Sequence, residues 1–89
     1  MEDFVRIILM LSRNKVEKLV GTYVKSTYRA QWIGIVLNFV ENNDSTHCWI
    51  LKVKMLIDRH GNPIRKGLQK TVWYSIAWFK PLKDYEIKI

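Results

Sequence analysis

The hydrophobic pattern changes period at Gly21. Before it, Phe4, Ile7, Ile8 and Leu11, then Val16, Leu19 and Val20, recur mostly at helical spacing, and Glu2 and Asp3 suit the positive end of a helix dipole. The spacing favours a helical segment, although Val5, Ile7 and Leu9 also fit a strand, and the stretch from Asn14 to Val20 holds no more than a turn or two unless it continues from upstream. After Gly21 the period is two. Residues 22–28 are rich in Thr, Tyr and Val, which suit a pleated, half-buried surface. From Trp32 to Val40, Ile33, Ile35, Leu37 and Phe39 take one face, while Trp32, Gly34, Val36, Asn38 and Val40 take the other. From His47 to Ile57 the alternation is stricter, with Trp49, Leu51, Val53, Met55 and Ile57 on an apolar side and Lys52 and Lys54 on a wet one. Two shorter strands near Thr71–Ser75 and residues 77–82 keep Val72, Tyr74, Ile76 and Trp78 in phase.

Turn-forming residues separate these runs: Glu41-Asn42-Asn43-Asp44, then His60-Gly61-Asn62-Pro63 within a longer loop ending near Gly67, while Pro81 ends or edges the last strand. Closely spaced short strands predict a mainly β protein: a small antiparallel barrel of about five strands, a form that removes edges open to pairing between molecules. No repeat, low-complexity stretch or linker interrupts the chain. The expected division is an N-terminal helical extension over 1–20 and a barrel over 21–89.

A length of 89 residues allows one domain and excludes a two-domain enzyme. Apolar types at 48% and four tryptophans provide a core, which excludes a disordered polycation. The single Cys48 excludes an internal disulfide, and with only His47 and His60 it does not make a usual structural zinc site, so no metal or cofactor is expected. The longest apolar run, Ile7 to Leu11, falls far short of the ~20 residues of a bilayer span and is followed by no small-residue cleavage site, so a cytoplasmic protein with no membrane partner is expected.

Val20-Gly21-Thr22-Tyr23-Val24-Lys25, followed by Trp32-Ile33-Gly34-Ile35-Val36, resembles the KOW motif of ribosomal proteins and transcription elongation factors. There a strand opening with Gly and ending in Val-Lys leads through a basic loop to an apolar-Gly-apolar-Val strand. The resemblance implies an SH3-like barrel, a group of folds that includes Tudor domains. Gly34 suits a sharply coiled strand where a Cβ would collide with a neighbour. The intervening loop departs from the motif, with Arg29 its one basic residue. The closing Trp78-Phe79-Lys80-Pro81-Leu82 is similar to the last strand of small barrels in bacteriophage and plasmid proteins.

Fifteen Lys and Arg against eight Asp and Glu give a net charge of +7, unevenly spread. Arg59, Arg65, Lys66, Lys70, Lys80 and Lys83 lie in a stretch without a carboxylate, as do Lys18, Lys25 and Arg29, whereas Glu41, Asp44 and Asp58 fall together on the intervening hairpin. Such segregation favours a polyanion, because each phosphate neutralised releases condensed counterions and gives affinity without sequence selectivity. Nucleic acid, DNA or RNA, is therefore the expected partner, in transcription, translation or chromosome organisation. Arg59, Arg65, Lys66 and Lys70 are the first candidates for phosphate contacts, and Lys25, Arg29, Lys52 and Lys54 the second. Among Tyr28, Trp32, Trp73 and Phe79 as stacking residues, Trp32 and Trp73 stand out, being out of phase with the aliphatics of their strands; Trp49, Tyr74 and Trp78, in phase, belong to the core.

No catalytic constellation emerges, and a non-enzymatic protein is expected. Asp58 and His60 flank a turn that Asp commonly forms, and His47 beside Cys48 reads as packing. Small endoribonuclease toxins share SH3-like barrels, but none of their motifs is present. The competing reading is a protein-interaction module, a phage-type modifier docking Phe4, Ile7, Ile8 and Leu11 on a host polymerase or ribosomal component. Deleting residues 1–12 separates the readings: docking predicts loss of partner capture from a barrel that still melts cooperatively, and an unfolded product assigns those residues to the core.

Overall fold

The computed structural model describes residues 12–27, 30–42 and 48–82 of the chain. A helix, α1 (Arg13–Glu17), is followed by strands β1 (Tyr23–Ser26), β2 (Ile33–Asn42), β3 (Cys48–Ile57), β4 (Thr71–Ser75) and β5 (Phe79–Pro81). α1 is too short to stand alone. Its carbonyl start at Ser12 accepts from the Lys15 and Val16 N–H groups, both at 3.1 Å, and it is held by the fully buried Val16 and by the Arg13 guanidinium 5.5 Å above the Phe39 ring. The helical expectation over 1–11, with Phe4, Ile7, Ile8 and Leu11, lies outside the described residues. Among the described residues no helix is long and apolar enough to cross a membrane.

All pairings are antiparallel, in the order β4-β3-β2-β1-β5. The sheet is not closed; β4 and β5 are its edges. A 3-10 turn over Ile76–Trp78 carries the chain from one edge to the other, with the Ser75 hydroxyl accepting from the Ala77 N–H at 3.3 Å. This turn shortens the strand expected over 77–82, and Pro81 sits on an edge strand, where a residue without N–H is tolerated. The inner face buries Val24, Val36, Leu51, Val53, Ile76 and Phe79 in one core with Val16.

β3 presents its faces as its alternation requires from Trp49 to Met55, with Trp49, Leu51 and Val53 buried in the core. Beyond it Leu56 has no partner, since Gly34 pairs with Met55 and Ile33 with Ile57, so the expected alternation does not reach Ile57, which is buried but outside that core. β2 breaks its alternation in mid-strand. Val36 pairs with Val53 and Asn38 with Lys52, so Leu37 has no partner and bulges. One extra residue reverses the phase: Trp32, Gly34 and Val36 point inward before the bulge, Phe39 after it. The expectation that Trp32 is exposed is therefore corrected. It is 7% exposed, edge-to-face with Phe79 at 5.5 Å, and Phe79 is itself buried. Tyr74 and Trp78 are corrected the other way, at 38% and 36% exposed. Tyr74 shares the inner face with Leu51 but has no further strand beyond β4 to cover it, and Trp78 belongs to the 3-10 turn instead of a strand.

Gly34 is needed for space. A Cβ there would lie 2.5 Å from the Lys54 carbonyl oxygen, 2.6 Å from Val53 Cγ1 and 2.9 Å from Trp32 Cζ3. Two of these neighbours are backbone or a β-branched core side chain, which cannot swing aside. Gly34→Ala is predicted to cost about 2 kcal/mol or more by overpacking and to lower the melting temperature by roughly 10 °C, checked by thermal denaturation; a variant melting with the wild type refutes the contact.

Candidate nucleic-acid interface

Residues directly paired across antiparallel strands point to the same side of a sheet. On the side opposite the core, Lys52 stands between Trp73 of β4 and Asn38 of β2, and Lys54 between Thr71 and Ile35, with Tyr23 beyond. Across the sheet Lys25 lies directly opposite Lys80. These four lysines are half-buried, with Lys25 directly opposite Ile33 and Lys54 directly opposite Ile35. Among the described residues this outer face carries no carboxylate, since Glu17 is on α1, Glu41 follows the inward phase at the end of β2, and Asp58 lies past the end of β3.

Trp73 is the exposed aromatic of this face, Tyr23 being half-buried. It is 47% exposed, and Lys52 Nζ lies 5.7 Å from its ring centroid, a cation–π contact.

The second basic group is the β3–β4 loop. Arg59, Arg65, Lys66 and Lys70 are all exposed. The loop starts with a closed turn: Asp58 Oδ1 accepts from the backbone N–H groups of His60 and Asn62, both at 2.9 Å, and Gly61 takes a φ of +83°, which few residues other than Gly adopt. Arg59 Nε donates to His60 Nε2 at 3.2 Å. The chain then re-pairs with β3, Ile57 bridging Pro63 and the Ile64 N–H donating to Leu56 O at 2.8 Å. A 3-10 turn over Lys66–Leu68 follows, braced by Gln69 Nε2 on the Ile64 carbonyl at 3.0 Å. Asp58 thus acts as a turn-former.

The predicted residues therefore divide. Lys52, Lys54 and Trp73 are neighbours on one face; Lys25 shares that face two strands away; Arg59, Arg65, Lys66 and Lys70 are on the loop. Trp32 leaves the set for the core, and Arg29, like Tyr28, His47 and Lys83, lies outside the described residues. Glu41 and Asp58 are not together on a hairpin: Glu41 pairs with Trp49 at one end of β3 and Asp58 follows the other, roughly 25–30 Å along the strand. Lys80 joins the face through a β1–β5 pairing that no local pattern announces. No family model, curated protein or solved structure matches the chain.

The two N–H groups, Asn62 first, hold the Asp58 carboxyl below its ordinary value against a desolvation that opposes them, with His60 and Arg59 adding smaller pulls. A depressed folded value means stability that is present above the unfolded pKa, about 3.9, and is lost as pH falls through the folded one. Asp58→Asn keeps an acceptor oxygen but not the charge. The wild type is predicted to melt above this variant at about pH 6, with the gap closing below about pH 3.9; a gap unchanged with pH refutes the charge contribution.

Proposed function

We propose that the chain is a non-enzymatic nucleic-acid-binding protein that grips phosphates with Lys25, Lys52, Lys54 and Lys80 on the outer sheet face and with Arg59, Arg65, Lys66 and Lys70 on the β3–β4 loop. The observation that carries this reading is the cross-strand pair Lys25 and Lys80 on a face that, among the described residues, has no acid. Like charges directly opposite on a sheet repel, and a polyanion relieves that repulsion on binding. The binding this supports is largely sequence-independent, because lysines meeting phosphates read no base.

We read the open sheet as an incompletely closed SH3-like barrel, in line with the KOW-like Gly21 to Val36 region. The return of β5 to β1, and the 3-10 turn joining the two edge strands, support this.

Replacing Arg65, Lys66 and Lys70 together by Glu is predicted to abolish retention of nucleic acid on a filter at low salt, with a melting temperature within a few degrees of wild type, since all three are exposed. The wild type should show log K falling with log salt, and milder neutralisation of the three to Ala should reduce that slope by about 2–3. Unchanged retention by the Glu variant, or salt-independent binding by the wild type, counts against the function.

A further inference from the structure

We propose that the outer face of β3 and β4 binds an unpaired nucleic-acid strand, with the Trp73 indole stacked on a base and Lys52 and Lys54 on the flanking phosphates. This rests on the polyanion reading above and names the form of the ligand.

A basic surface by itself is satisfied by a duplex, whose phosphates line its outside. Trp73 is not. A duplex keeps its base faces inside the stack and offers a protruding indole only backbone and groove edges, whereas an unpaired strand offers base faces that stack on aromatic rings irrespective of sequence. Trp73 is the largest side chain on this face and is half-exposed, although an indole of this size is normally buried where a core is available. Its inward neighbour in β4, Val72, packs on the core, so the phase of the strand, and not a lack of apolar partners, holds Trp73 outward.

The cations are placed to suit it. Lys52 is directly opposite Trp73 and its Nζ lies over the ring, while Lys54, directly opposite Thr71, is two residues along β3, roughly 7 Å away. A strand laid along β3 with one base on Trp73 meets successive ammonium groups at a separation comparable to that of successive phosphates. An unpaired strand supplies both phosphates for the lysines and a base face for the indole in one repeating ligand.

The test uses the full chain with a labelled oligo(dT), the matching oligo(U), and a DNA duplex of equal length, read by anisotropy at low salt. The expected result is that a single strand, DNA or RNA, binds at least about tenfold tighter than the duplex, and that Trp73→Ala weakens single-strand binding about 5- to 150-fold, far more than duplex binding. Trp73→Phe, which keeps a ring, should restore most of the affinity. Should Trp73→Ala fail to fold, Trp73→Phe carries the test: oligo(dT) should quench indole fluorescence in the wild type and much less in this variant. Equal affinity for single strand and duplex with no effect of Trp73, or equal quenching in both proteins, overturns the inference and leaves the polyanion reading standing. Failure to retain any of the three ligands overturns both.

Discussion

The sheet depends on one close approach, where β2 lies against β3 at Gly34. The missing Cβ lets the Lys54 carbonyl and Val53 come close to the β2 backbone and opens the space that the Trp32 indole occupies. Trp32 in turn meets Phe79 of β5 edge-to-face, so the same contact links the middle of the sheet to its far edge. A core this small has few large side chains to spare, and Trp32 and Phe79 are among those it uses. The lysine-bearing outer face inherits this constraint directly. Lys54 is the residue whose backbone lies against Gly34, and its side chain projects to the other side of the sheet.

The outer face is electrostatically one-sided among the described residues. Its lysines are half-buried, and Lys25 and Lys80 stand directly opposite each other, so like charges repel across the β1–β5 pair. The loop adds exposed charges on a differently built support. Its closed turn at Asp58, the bridge from Ile57 to Pro63 and the Gln69 brace give a long connection defined geometry. Asp58, the one acid near these cations in the described structure, is occupied by backbone N–H groups.

Much of the fold was legible because period-two patterning is strong wherever one face is wet. β3 is the clearest case: Lys52 and Lys54 mark the wet side and Trp49, Leu51 and Val53 the dry one, with no irregularity between them. Gly34 was legible as a close approach, and Asp58 as a turn residue. β2 misled because its mid-strand polar residue, Asn38, lies just past the bulge, so in an unbroken alternation it marks the face of Trp32, Gly34 and Val36 as the wet one. The bulge at Leu37 then moves the inward set from Val36 to Phe39, and reading the strand as one alternation sends Trp32 to solvent. Trp78 misled because a single turn of 3-10 helix at 76–78 interrupts what looked like a continuing strand.

The sequence alone determined the class of structure, the surplus of positive charge and its concentration in a stretch free of acids, because composition and local periodicity are properties of the chain itself. Only the tertiary structure decided which cations share a face, that Lys25 meets Lys80, that Glu41 and Asp58 stand at opposite ends of β3, and that Trp73 is outside while Trp32 is inside. Those are consequences of strand pairing and register. A bulge of one residue or a return of the last strand to the first changes them completely while leaving the local pattern almost untouched.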